Sequence, residues 1–286
     1  MMVYYRNIKR LHLLISDGKI PLTGDWLGKK ELFEKYRKLP LNKRRHLSIS
    51  AVKACQLYKR SADKWTIEMY KDSSKYEQER NLNKRSDKEK EQWPKKGYKS
   101  VKKAAKMMWD RVKVLLGKDE EPNLKTLYKY QMFIVLKLFS QIPFRNTFAS
   151  FHVSKAEGNF IERPKRGNFK FVVNEHKTVK KLGPKTVLLS RANTMALRKF
   201  LKYRDQVKEI KHDFLLSTKT GLKMTKSTMG KALHRTTKEL LGKAFGSRLI
   251  RVLAATDSKQ EIDKVEELAN KMLHTSKQTK QYTREK

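Results

Sequence analysis

The chain has 286 residues, 38% of them hydrophobic, and carries 68 Lys+Arg against 29 Asp+Glu, a formal charge of +39 at pH 7. That length and apolar content suffice for two modest domains with their own cores and exclude a purely disordered basic tail. The charge makes a compact chain repel itself unless a polyanion is near; nucleic acid is the obvious one, while ribosomal or anionic-membrane partners fit the same sign, so charge sets the partner class and not the activity.

Residues 1 to about 70 read as short helices. The run Leu11, Leu13, Leu14 and Ile15 is interrupted by His12 and precedes no cleavage site, so neither a signal peptide nor a membrane span is expected, and the chain is expected inside the cell. Asp25 is a candidate cap for a segment carrying Trp26, Leu27, Leu32, Phe33 and Tyr36, with Pro40 beyond its end. Ser48 or Ser50 is a candidate start for the next segment, with Val52, Cys55, Leu57 and Tyr58; Trp65, Ile67, Met69 and Tyr70 follow. Cys55 is the only cysteine, which excludes an internal disulfide framework and a Cys-cluster zinc site; on an apolar-periodic helix it reads as a reduced, buried thiol. Lysines and arginines fill the other faces, which reads either as a small helical bundle with solvated basic faces or as a helical module pressed on DNA backbone; the net charge favours the second.

From Lys71 to Gln92 only Tyr76 and Leu82 are large apolar groups, so this stretch reads as a linker or an exposed helix, and the domain boundary is placed there. Residues 1–85 are then a helical DNA-clamping domain with a charged linker to about 92, and residues 92–286 a second domain. The run from Gly117 to Pro122 is an alternative break.

In the second domain, a helix around Val101 to Leu116 buries Ala104, Ala105, Met108 and Val112. A strongly apolar helix from Asn123 to Leu138 is expected in the core and ends at Ile142-Pro143, because the residue before a proline is pushed out of helical geometry. The runs Phe169–Val173 and Thr186–Leu189 flank a polar stretch with Gly183-Pro184, the pattern of a β-hairpin with a long turn. Helices return at 193–207, at 227–241 with Gly242 as the stop, and at 259–273, where Ser258 and Glu261 have capping-box spacing. The fold class is therefore mainly α with a small antiparallel sheet.

The closing stretch supplies a spaced set of phosphate-handling groups: Arg248 and Arg251, then His274, then Tyr282. In that order they resemble the C-terminal signature of the tyrosine recombinase (phage integrase) family, in its viral and mobile-element members. There an H-x-x-R turn, a later His or Trp and a nucleophilic tyrosine follow one another. The resemblance covers roughly residues 92–286. It extends to Arg145, in IPFRNTF, as the first arginine of the family, and to Lys177, in NEHKTVKKLGP, as its hairpin lysine; Lys180 is the rival for that place. The chain departs from the pattern twice. Arg248 stands where the family usually has histidine, and Phe148 stands where it often has an acid three positions after the arginine.

The resemblance implies strand cleavage by Tyr282 through a covalent 3′-phosphotyrosyl intermediate, with no cofactor and no metal. Arg145 and Arg251 would hold the scissile phosphate, His274 and Arg248 would assist, and Lys177 would protonate the leaving oxygen. Guanidiniums suit the first task because each offers a planar fork and never deprotonates. The implied partner is double-stranded DNA, with subunits tetramerising on paired sites to integrate or excise a viral or mobile genome. A type IB topoisomerase-like enzyme, or a non-catalytic basic DNA-binding protein, are the alternatives. No phosphate-binding loop, H-E-x-x-H or acidic cluster competes, and His12, His46, His152, His176, His212 and His234 lack metal-ligand spacing.

Overall fold

A computed structural model describes residues 2–82, 84–258 and 268–272. The chain divides into two compact units, Met1–Lys84 and Arg85–Lys286.

The first unit is helical: α1 (Met2–His12), a 3-10 turn (Asp25–Gly28), α2 (Lys30–Arg37), α3 (Leu41–Leu57) and α4 (Asp63–Asn81). Its core gathers Leu11, Trp26, Leu27, Leu32, Tyr36, Leu47, Ala51, Ala54, Cys55 and Trp65. Trp65 is central: its ring stacks on Phe33 with centroids 4.4 Å apart, and its Nε1–H donates to the Leu27 carbonyl at 2.9 Å. Below this apolar layer, α4 presents Glu68 and Asp72 one turn apart, 5% and 2% exposed. Each is paired, as buried carboxylates must be. Arg37 donates to Glu68 (Nε to Oε1, 3.0 Å), Arg44 lies 2.9 Å from Asp72, and the Tyr36 hydroxyl donates to Asp72. Burial and the neighbouring Asp72 carboxylate push the Tyr36 phenol well above its ordinary range.

Two local expectations are corrected here. Asp25 caps nothing; the turn starts from Gly24 without a side-chain cap, and Asp25 instead pairs with Arg60 at 2.5 Å. Ser48 and Ser50 do not start a helix but lie buried inside α3, which begins after Pro40. Each hydroxyl donates back to a carbonyl of its own helix, Ser48 to Arg45 and Ser50 to His46, the way a serine is tolerated mid-helix, and Ser50 also accepts from Asn7 on α1.

The second unit begins with the short α5 (Asp87–Gln92), followed by α6 (Lys99–Leu116) and α7 (Leu124–Phe139). Asn123 caps α7, its side chain accepting the Thr126 N–H at 3.0 Å. The long α7 is buried along nearly its whole length, with Leu127, Met132, Ile134, Val135, Leu136 and Phe139 all in the core. The chain leaves it through Ile142-Pro143 into a 3-10 turn (Asn146–Ser150). The strands follow: β1 (Phe151–His152), β2 (Asn159–Glu162), β3 (Lys170–Val173) and, after the single-turn α8 (Val179–Leu182), β4 (Lys185–Leu188). α9 (Arg191–Arg204), α10 (Lys226–Leu241) and α11 (Ser247–Asp257) complete the unit. Gly242 ends α10 in the left-handed conformation, φ 69°, where a side chain would be strained.

Strand order is β1-β2-β3-β4. β2/β3 and β3/β4 are antiparallel, the latter in register Phe171 opposite Val187, as the hairpin pattern predicts. The sheet is not purely antiparallel, however: β1 runs parallel to β2, so it is mixed. β1 is two residues long, and no alternation is readable over so short a run. Its backbone is also engaged on the other side, where Leu215 N–H donates to the Phe151 carbonyl at 2.8 Å. A phenylalanine cluster, Phe139, Phe144, Phe148, Phe151 and Phe171, fills the space between α7 and the sheet, each ring fully buried.

Among the described residues, no helix is long and apolar enough to cross a membrane and no cluster of His, Cys, Asp or Glu could hold a metal ion.

Candidate active site

Arg145 is positioned by what flanks it. Phe144 and Phe148 are both 0% exposed and lock into the aromatic cluster, their rings 5.4 Å apart, so the intervening turn has little freedom. Arg145 itself is half-buried at the head of the 3-10 turn, with extended backbone. Asn146, the next residue, ties the turn to α10 by donating from Nδ2 to the Lys226 carbonyl at 2.9 Å.

Arg248 and Arg251 lie one turn apart on α11, in unlike surroundings. Arg251 is 4% exposed and its Nε–H donates back to the Ser247 carbonyl at 3.3 Å. Such a guanidinium is held as part of the core while keeping its charge. Arg248, in the first turn, has a side chain 75% exposed and donates from Nη2 to Glu89 Oε1 at 3.4 Å.

A cavity of about 270 Å³ joins these segments: Asn146 beside Arg145, Gly230 and His234 on α10, Gly246 and Arg248 at the start of α11, and Ser86 and Glu89 from α5. The two glycines permit close approach of side chains. A Cβ on Gly230 would stand 2.9 Å from Asn146 Nδ2, and one on Gly246 would stand 2.8 Å from His234 Nε2. The structure thus brings the Arg145 turn and the start of α11 to one concave surface.

Lys177 and Lys180 are exposed and lie elsewhere, in the loop between β3 and β4. That loop is shaped by His176: its Nε2–H donates to the Gly183 carbonyl at 3.0 Å, and its Nδ1 lies 3.1 Å from the Thr178 hydroxyl. Lys180 sits on α8, a helical turn that the polar sequence did not announce. His274 and Tyr282 lie outside the described residues, as does Glu261 of the 258–261 capping pattern; residues 268–272 are helical, with Ala269 and Met272 buried.

Sequence reasoning missed Glu89, Asn146 and His234. For Glu89 a signal existed, because Ser86-Asp-Lys-Glu89 is capping-box spacing within the stretch read as linker. The box forms: Glu89 N–H donates to Ser86 Oγ at 3.3 Å, and Ser86 N–H to Glu89 Oε2 at 3.1 Å.

With this geometry in hand, solved structures offer a comparison. The chain is similar to XerH site-specific recombinase bound to difH substrate in a pre-cleavage complex, with a TM-score of 0.60 at 12% identity over 100% of this chain and 75% of that one. A post-cleavage complex of XerH on palindromic difH substrate gives 0.58 at 12% identity over 98% and 75%. The fold is that of the tyrosine recombinases. XerA recombinase matches more loosely, at 0.44 and 13% identity over 99% of this chain and 86% of that one. No protein-family model matches the chain, and no curated protein sequence matches it.

Proposed function

We propose that the chain is a site-specific DNA strand transferase that cuts and rejoins double-stranded DNA through a 3′-phosphotyrosyl bond to Tyr282. The observation that supports this reading is the pairing of a recombinase fold with two guanidiniums on well-held segments, Arg145 at the head of its clamped turn and the buried Arg251 on α11. In this scheme the Tyr282 oxygen attacks the scissile phosphorus and the bond to the 5′-oxygen breaks. Arg145 and Arg251 neutralise charge that builds on the non-bridging oxygens, the largest catalytic contribution in such reactions. Lys177, or Lys180 beside it, protonates the departing 5′-oxygen. The phenol proton cannot pass to Arg248, which stays protonated, so that step falls to an imidazole such as His274 or to water. The covalent phosphodiester stores the bond energy until the partner strand attacks, so no cofactor or metal enters the reaction.

The finer reading is integration or excision of a viral or mobile genome by a homotetramer on paired sites, with residues 1–85 clamping the duplex and the protein associated with DNA in the host nucleus or a viral replication compartment. The excess of lysine and arginine and the small helical first unit support the clamping part of that reading.

The test incubates wild type and Tyr282→Phe with DNA from the genetic element encoding the chain, denatures, and looks for protein attached to a 3′ end. An adduct with wild type alone is expected. Tight binding without any adduct, even on nicked substrates that trap the intermediate, would sink the enzyme in favour of a basic DNA-binding protein. Relaxation of supercoils without recombinant products would instead favour the topoisomerase.

A further inference from the structure

Phe148 cannot provide an orienting carboxylate near the arginines, yet the start of α11 does not lack one. Glu89 reaches it from α5, at the opposite end of the unit's sequence, and its placement has the marks of a built contact. The side chain is 9% exposed, and Oε2 is fixed by the Ser86 N–H in the capping box. The remaining oxygen, Oε1, faces Arg248 Nη2 at 3.4 Å. α5 is strapped to the same corner a second time, where Lys243 Nζ donates to the Glu91 carbonyl at 2.6 Å. Arg248, by contrast, is exposed over most of its side chain, and a guanidinium has more donor edges than one carboxylate oxygen can occupy.

We infer that Glu89 is a positioning residue for Arg248: the carboxylate holds one side of the guanidinium so that another stays turned outward for a DNA phosphate. This rests on the strand-transferase reading above. A long exposed arginine has many rotamers, and fixing one before the phosphate arrives reduces the ordering cost of the transition state. The arrangement orients a guanidinium where the family usually places an imidazole. It also gives α5, in a stretch whose composition reads as linker, a task in the chemistry.

Glu89→Gln isolates the effect, because glutamine at this place still completes a capping box and so preserves α5 while removing the negative charge. Single-turnover adduct formation on a nicked DNA substrate and DNA affinity are measured for wild type, Glu89→Gln, Arg248→Gln and the double variant, with unfolding midpoints checked for all. The expected result is an adduct rate about tenfold lower for Glu89→Gln at nearly unchanged affinity, and no further loss when Glu89→Gln is added to Arg248→Gln. An equal loss in both backgrounds would mean that Glu89 only supports the fold, and a faster rate that it restrains Arg248; either overturns the inference. No adduct from wild type refutes the strand-transferase reading and the inference with it. A wild-type adduct with an unchanged Glu89→Gln rate refutes the inference alone.

Discussion

Arg251 and His212 show how burial gives a charged or titratable side chain a defined state. Arg251 keeps its charge inside the core, next to its own helix backbone. Replacing it with alanine should lower adduct formation about 100–1,000-fold, the usual cost of losing one transition-state donor, while Arg251→Lys should recover little because a point charge lacks the fork. His212 is held the other way. Burial, and then the neighbouring Arg204 guanidinium, lower its pKa below the ordinary 6.5, and its Nδ1 accepts the Phe214 N–H at 3.1 Å. Because the folded pKa is depressed, the unfolded chain binds more protons between the two values. Its contribution to stability is therefore complete above about pH 6.5 and lost as the pH falls below it. Wild type should lose more stability between pH 7 and pH 5 than His212→Asn, which retains an acceptor for Phe214; equal losses in thermal unfolding would contradict this.

At the scale of elements, most of the second unit was legible. The apolar run of α7, the Pro143 stop and the two β-rich runs carry their periodicity openly. What stayed hidden depends on contacts distant in sequence. Nothing local says that Ser86–Glu89 completes a corner with Arg248, or that Ser50 meets Asn7 instead of starting a helix. The cavity that gathers Asn146, His234 and Arg248 was not readable either, because Gly230, His234 and Gly246 acquire meaning only from close approach. Phe148 belongs here too. Its ring meets Phe139 and Phe171 at centroid distances of 5.0 and 5.7 Å. Restoring an acid by Phe148→Glu should therefore destabilise the unit by at least the ~3–5 kcal/mol of a core Phe→Ala change, which chemical unfolding would measure. In the first unit, Gly24→Ala should cost about 1–3 kcal/mol, because its Cβ would stand 2.7 Å from Tyr58 Cβ, an atom near the backbone that cannot swing away. An unaltered midpoint would show that the turn yields.

At the scale of the whole chain, charge and the two cores dominate. With a formal +39, affinity for DNA should fall by about 10³-fold or more between 50 and 200 mM salt if six or more phosphates are contacted; titration at several salt concentrations gives the slope. That dependence follows from phosphate contact alone and is the same for an enzyme and a passive binder, which is why the covalent adduct discriminates and salt does not. The first unit buries its own aromatic core and pairs its own buried carboxylates, so residues 1–84 should fold alone with a cooperative thermal transition.

The chain's four tryptophans are shared evenly between the units, Trp26 and Trp65 in the first, Trp93 and Trp109 in the second. Trp65 is sealed in a hydrophobic core, whereas Trp93 lies beneath the Arg85 guanidinium, 3.9 Å from its ring centroid. Intrinsic fluorescence therefore contains two separable signals. In a Trp93→Phe/Trp109→Phe chain selectively excited tryptophan emission comes from the first unit, and in its complement, Trp26→Phe/Trp65→Phe, from the second, so each unit can be followed optically while the other engages DNA.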